Sequence, residues 1–269
     1  MNVSKYLAFA AAGIFAGSAI AQEAAPVAEP ASEGPSVGAY AGTVLKNGYL
    51  SNGYVFTDNA VLQSYAGVTF AGFDLNIWNS WDVSNKHRTH FADPDAANEI
   101  DYELDYYGDI GDFDYMLGVA AWVYPNTDDS FDEWVGKVAV GYNGWVVRPE
   151  LNARFGLESQ QGCYGQFKLS KGFTLTDDEK LSLNVYGLVA YASKSYRKGK
   201  GVDDDGFVDA EFGGELGYAI CDNFSVCVGC QFSAILDNDL RDAIENGDAF
   251  MADGDKEHFM YYAGVSASF

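Results

Sequence analysis

Residues 73–83 read FDLNIWNSWDV. Successive side chains of an extended strand point to opposite faces. Phe73, Leu75, Ile77 and Trp81 therefore share one face, and Asp74, Asn76, Ser80 and Asp82 share the other. The division recurs at 100–106, IDYELDY, where Ile100, Tyr102, Leu104 and Tyr106 alternate with Asp101, Glu103 and Asp105. At 207–218, Val208, Phe212, Leu216 and Tyr218 alternate with Asp209, Glu211 and Glu215. At 145–155, Trp145, Val147, Leu151 and Phe155 alternate with Arg148, Glu150 and Arg154. An Arg or Lys facing lipid at mid-bilayer costs about 2–4 kcal/mol. The charged face is expected to line an interior, and the apolar face to meet hydrocarbon.

Working outward, twelve such segments run along the chain, near 40–51, 60–70, 72–83, 98–108, 112–124, 133–142, 144–157, 160–170, 179–192, 207–220, 223–236 and 258–269. They match the roughly 9–11 residues that a tilted strand needs to cross a bilayer, where strands of soluble sandwiches average about five or six. A soluble barrel filled by its aromatics would put polar residues outside and use shorter strands. The connections alternate in length. FAGF (70–73), GDIGD (108–112), YNGW (142–145) and CDN (221–223) are tight, and KGFTLTDDEK (171–180) is somewhat longer. The intervening ones, such as SNKHRTHFADPDAAN (84–98), SKSYRKGKGVDDDG (193–206) and DNDLRDAIENGDAFMADGDKE (237–257), are long and polar. Short turns on one rim and long loops on the other predict an all-β fold: a closed antiparallel up-and-down transmembrane β-barrel of twelve strands. Its last strand, HFMYYAGVSASF (258–269), must then pair with its first.

The opening MNVSKYLAFAAAGIFAGSAIA has a Lys5 start, an apolar centre and a small-residue end. It reads as a signal peptide over 1–21, followed by a Pro-, Ala- and Glu-rich flexible linker at 22–39 and a barrel at 40–269. The expected location is the bacterial outer membrane. A net charge of −23 excludes nucleic acid as a partner, since phosphate binding needs a basic surface. The partners expected are outer-membrane lipids, the barrel assembly machinery, and small polar solutes or cations. No cofactor is expected. In CVGC (227–230) the thiols sit three apart on a strand and face opposite ways, so they do not converge on a metal ion.

The stretches LSNGYVFTDNAVLQSYAGVTFAGFDLNIWNSWDV (50–83) and NEIDYELDYYGDIGDFDYMLGVAAWVYPN (98–126) resemble the TorF family of bacterial outer-membrane porins. The likeness lies in strand, turn and aromatic positions and is closest in the first half of the chain. It implies a barrel in the outer membrane but names no solute. Thr57-Asp58 follows Tyr54-Val55-Phe56 where the family pattern has Arg-Gly, so no arginine role transfers there. Gly264, Ala267 and Phe269 resemble the terminal signal read by the assembly machinery.

Twelve strands about 4.8 Å apart and tilted near 40° give a backbone radius of roughly 12 Å. Inward side chains leave either a narrow aqueous path or a filled interior. The acids expected to line it are Asp74, Asp101, Glu103, Asp105, Asp114, Asp209, Glu211 and Glu215, with Asp82 beside them. The bases are Lys137, Arg148, Arg154 and Lys168. Separation of the two sets would put a field across the lumen, and the acid excess favours cations. The reading is a channel for small hydrophilic solutes. The alternatives are a barrel propped shut by salt bridges that works through its surface loops and, from another class, a lipid hydrolase. The last needs a nucleophile with a histidine in reach; His87, His90 and His258 have no nucleophile motif around them, and no enzyme is expected. VDDDG (202–206) and DGDKE (253–257) lack the spacing of a calcium loop.

Overall fold

The computed structural model describes residues 37–83, 97–125, 132–157, 162–246 and 256–269. The expected leader, most of the expected linker, and His87 and His90 lie outside these ranges. The wall consists of β1 (Val37–Lys46), β4 (Val61–Phe70), β5 (Phe73–Asp82), β6 (Ala97–Ile110), β7 (Phe113–Val123), β8 (Glu133–Tyr142), β9 (Arg148–Gly156), β10 (Cys163–Thr174), β11 (Leu181–Ala192), β12 (Gly206–Cys221), β13 (Phe224–Ile235) and β14 (Glu257–Ser268). These twelve strands pair antiparallel with their neighbours in sequence and close into one barrel. The seam joins β1 to β14, with Tyr40 opposite Ser268 and Lys46 opposite Tyr262. Closure leaves no unpaired strand edge, as a hydrocarbon surround demands. No helix among the described residues is long and apolar enough to cross a membrane.

The outer face is apolar. Leu75, Tyr102, Leu104, Leu117, Val140, Leu151, Phe212, Val228 and Phe259 are exposed on it, while the alternating acids are buried inside. Such an inverted distribution suits a barrel surrounded by lipid. Aromatic rings gather where the wall meets each boundary: Phe73 against Tyr106, Phe113 against Tyr142 and Phe224 against Phe269 near the tight turns, and Trp81 and Trp134 near the long loops. From Phe73 to Trp81, at about 3.3 Å per residue and a tilt near 40°, the wall rises roughly 20 Å.

The turn at Ala71-Gly72 is a two-residue connection with φ of 51° and 85°, the left-handed pair whose twist matches the flanking strands. The Asn143-Gly144 turn differs from its expectation. Asn143 donates its backbone N–H to the Asp112 carbonyl at 2.8 Å and its side-chain amide to Asp114 at 2.7 Å. It caps the rim of β7 instead of turning a two-residue hairpin. Residues 143–147 therefore form a longer exposed loop, and Trp145 and Val147 leave the strand on which the alternation placed them. Trp145 packs edge-on against Tyr142.

A second departure lies between β11 and β12. Val189 opposes Ala210, yet Tyr191 opposes Phe207. The extra residue is a β-bulge, which re-aims side chains. Val208, read as lipid-facing, is instead fully buried in an apolar cluster with Tyr54, Tyr164, Ala190, Ile235 and Leu240.

The long connections hold structure that the strand pattern did not reveal. Between β1 and β4, β2 (Tyr49–Ser51) and β3 (Tyr54–Thr57) form a separate hairpin; the segment expected as one strand over 40–51 breaks after Lys46. α1 (Lys194–Lys198) precedes β12, and α2 (Asn238–Glu245) follows β13. The Asp237 carboxylate caps α2 by accepting from the Leu240 N–H at 2.9 Å, a standard way to satisfy a helix's first amides. Leu240, Ala243 and Ile244, at helical spacing, are buried in the same cluster as Val208.

Candidate functional site

Every residue assigned to the lumen is turned inward. Asp74, Asp101, Glu103, Asp105, Asp209, Glu211, Glu215, Lys137, Arg154 and Lys168 are buried, and Asp114 and Arg148 are half-buried nearer the tight turns. Gly264 faces inward beside Cys227 and Val44. Ala267 pairs with Ala41, and Phe269 stands exposed at the tight-turn rim while exchanging backbone hydrogen bonds with Ala39.

The bases do not face the acids across the lumen; they sit among them. Lys137 on β8 reaches Glu103 at 3.2 Å and Asp105 at 2.9 Å on β6. The two strands flank β7, and Gly118 lies between, opposite both Asp105 and Lys137. A Cβ there would stand 1.8 Å from an Asp105 carboxylate oxygen, so the missing side chain is what lets the pair meet. Arg148 pairs with Asp114 at 2.6 Å and also with Glu150. The expected separation thus collapses into neighbouring pairs, because β6, β7, β8 and β9 are adjacent and long side chains span one strand. Arg154 is held differently: its guanidinium lies 4.4 Å from the Tyr164 ring centre and 5.0 Å from Trp122, and it donates to the Tyr196 hydroxyl at 3.2 Å. Lys168 lies over the Tyr186 ring.

Two acidic columns remain. On β5 and β6 the inward row is Asp74, Asp82, Glu99, Asp101, Glu103 and Asp105; on β12 it is Asp209, Glu211 and Glu215. Polar neighbours hold them. Tyr40 donates to Asp74 at 2.9 Å, the Asn76 amide to Glu103 at 3.0 Å, Tyr164 to Asp209 at 3.0 Å and the Gln231 amide to Glu211 at 2.8 Å. Glu99 and Lys46 are inward and buried as well. Glu99 continues the period-two row of Asp101, Glu103 and Asp105 and was legible from it; Lys46 is the last residue of β1, beside a long loop.

The hairpin β2–β3 crosses the interior at the long-loop end. Tyr49 packs against Trp78 with ring centres 5.7 Å apart and donates to Glu99 at 2.5 Å. The Asn59 amide reaches Asp82 at 2.7 Å. Leu50 and Val55 pack on Met260. At the tip, a Cβ on Gly53 would lie 2.6 Å from that of Asp209 and 2.9 Å from Ile235. The hairpin thus spans from β5 and β6 to β12 and β13. Tyr54 enters the apolar cluster that α2 completes. Lys200 lies 4.9 Å above the Tyr54 ring centre, and burial beside the Arg154 charge pushes its ammonium down to about 8.

The interior is therefore closely packed at the long-loop end and looser at the other. On β4, inward Val61, Gln63 and Tyr65 are buried, whereas Gly67 and Thr69 are half-buried. On β10, inward Tyr164 and Lys168 are buried, whereas Thr174 is exposed.

No group of three or more His, Cys, Asp or Glu among the described residues is placed to hold a metal ion. The four cysteines form no disulfide; Cys230 is exposed on the outer face and Cys227 points in. In the acidic loop 202–206, Asp203 pairs with Lys194 at 3.2 Å, Asp204 with Arg197 at 2.9 Å, and Asp205 accepts from Tyr191. Its carboxylates are spent on internal contacts rather than gathered around an ion.

No protein-family model and no curated protein matches the chain, so the TorF likeness rests on the residues that suggested it. Similar solved structures are barrels. A KdgM porin is 12% identical with a TM-score of 0.49, covering 86% of this chain and 99% of that one. An outer membrane channel from Pseudomonas putida F1 is 12% identical with a TM-score of 0.45, covering 90% and 97%. OmpF of Salmonella typhi, in complex with daunomycin, is 8% identical with a TM-score of 0.40, covering 87% and 97%.

Proposed function

We propose that this chain is an outer-membrane channel of small conductance that favours cations over anions, with hairpin β2–β3 as its constriction. One observation carries the reading: the inward wall holds two axial columns of carboxylates, and cations of its own pair with only part of them. A wall needed only as a prop is served by matched pairs or by apolar packing, and surplus buried acid burdens it. Surplus acid along an aqueous path attracts cations and repels anions.

A second reading is a non-conducting barrel that works through its long loops. The burial of the hairpin and of α2 in the long-loop end favours it. Planar-bilayer recordings separate the two. The channel reading expects small steps whose reversal potential in a salt gradient shows cation preference. Replacing residues 49–57 by a short Gly-Ser linker should enlarge the steps several-fold, and Glu103→Gln with Glu211→Gln should weaken the preference. A folded barrel silent with and without the hairpin supports the second reading.

A further inference from the structure

Deep inside the barrel, beneath the hairpin, several polar atoms have no partner in the protein. Gln63 on β4 is 1% exposed, and neither its side-chain oxygen nor its nitrogen is hydrogen-bonded. Ser80 on β5 is 0% exposed, and its hydroxyl is unpaired. The Asn76 side-chain oxygen and one oxygen of Asp101 are buried and unpaired too. These groups adjoin one another on the same inner wall. Gln63 lies directly opposite Ser80, Ser80 opposite Glu99, Asn76 opposite Glu103, and Asp101 opposite Trp78. Directly opposed side chains on one face begin only about 4.5–5.5 Å apart.

Leaving a buried polar group unsatisfied costs about 1–3 kcal/mol. Several in a row on one patch require a common explanation. Most of the unpaired atoms are oxygen acceptors: one carboxylate, two carboxamides and one hydroxyl. Oxygen donors of this kind replace the hydration shell of hard monovalent cations. Of the carboxylates beside the patch, Glu99 accepts from Tyr49 and Tyr124, and Glu103 is held by the Asn76 amide and Lys137; the unpaired Asp101 oxygen alone supplies too little charge for a resident divalent ion. The patch also leads along the wall to Glu103, Asp105 and Asp74, and thus to the looser tight-turn end.

We infer that Gln63, Ser80, Asn76 and Asp101 form the selectivity segment of the channel, a cation path between hairpin β2–β3 and the wall of β4, β5 and β6, and that the solute class is small alkali cations carried with few waters. The inference rests on the channel reading above. It makes Gln63 and Ser80 specificity-determining residues although neither is charged, which separates it from a general effect of acidity.

The test is single-channel recording of the full barrel in potassium and sodium chloride. Gln63→Leu combined with Ser80→Ala removes unpaired groups without removing charge. The variant should fold with an unfolding midpoint no lower than wild type, while its potassium current falls at least fivefold. Asp101→Asn should reduce potassium-over-chloride preference. Ser233→Ala removes an unpaired buried hydroxyl on β13, three strands around the wall from β4, and should leave the current unchanged. Wild-type conductance in the Gln63, Ser80 double variant, or an equal loss in Ser233→Ala, overturns the inference alone. A silent wild-type barrel overturns it together with the channel reading.

Discussion

Gly118 shows how much one missing side chain does in this wall. Its absent Cβ leaves the space through which Asp105 and Lys137 meet across β7. Gly118→Val forces that pair apart, and overpacking of this kind costs about 1–3 kcal/mol. Lys137→Met leaves Glu103 and Asp105 side by side without their cation, a buried charge stripped of its partner, at about 3–5 kcal/mol. Urea unfolding of the barrel in lipid vesicles should show both variants with lowered midpoints, Lys137→Met the lower. Equal midpoints for wild type and Lys137→Met would show that the pair adds nothing to the fold. Tyrosines use glycines in the same way: Tyr40 lies over Gly67 and Tyr65 over Gly42, each directly across from its partner. These rings lie flat along the wall instead of pointing into the lumen.

At the scale of elements, one buried arginine links the long loops to one another. Arg197, at the end of α1, is 0% exposed and reaches Asp237 at 2.8 Å and Asp204 at 2.9 Å. Asp237 also caps α2. A single side chain thus ties α1, the acidic loop and α2 together above the hairpin. Arg197→Met removes the charge while keeping an apolar stem. Proteolysis of the folded barrel at residues 199–205 should then speed up at least tenfold, because local opening becomes easier, while the wall stays folded. Cleavage at the wild-type rate would show that apolar packing of Val202, Leu240 and Ile244 alone holds this end. Asp237→Ala removes the cap as well, worth about 1 kcal/mol, and should be cleaved faster still.

For the whole molecule the decisive feature is which face meets lipid. Phe212 and Glu211 are neighbours on β12; Phe212 is 62% exposed and Glu211 is 5% exposed. Spin labels placed at the two positions should differ in opposite senses, the Phe212 label being accessible to oxygen dissolved in the bilayer and the Glu211 label shielded. Reversal of that order would turn the barrel inside out and end the membrane reading. Phe212→Arg should cost about 2–4 kcal/mol if this position sits near mid-bilayer; the same vesicle unfolding measurement reads it.

The alternation by itself determined the strands and the face of every assigned lumen residue, because a pleated strand bordered by lipid on one side has only one tolerable orientation, and the alternation of short and long connections gave closure with even parity. FDLNIWNSWDV is enough to say that Asp74 looks in and Leu75 looks out. Where the chain leaves that regime, the pattern lost its hold. Val208 turns inward because a bulge changes the local period. Trp145 leaves its strand because Asn143 bonds to the neighbouring tight turn on the same rim. Residues 49–51, read as the end of the first wall strand, instead open a hairpin that enters the lumen. Only the tertiary structure decided what fills the interior and which acids meet bases. Those outcomes depend on side chains far apart in sequence sharing one enclosed volume, and a periodicity of two carries no information about what lies across it.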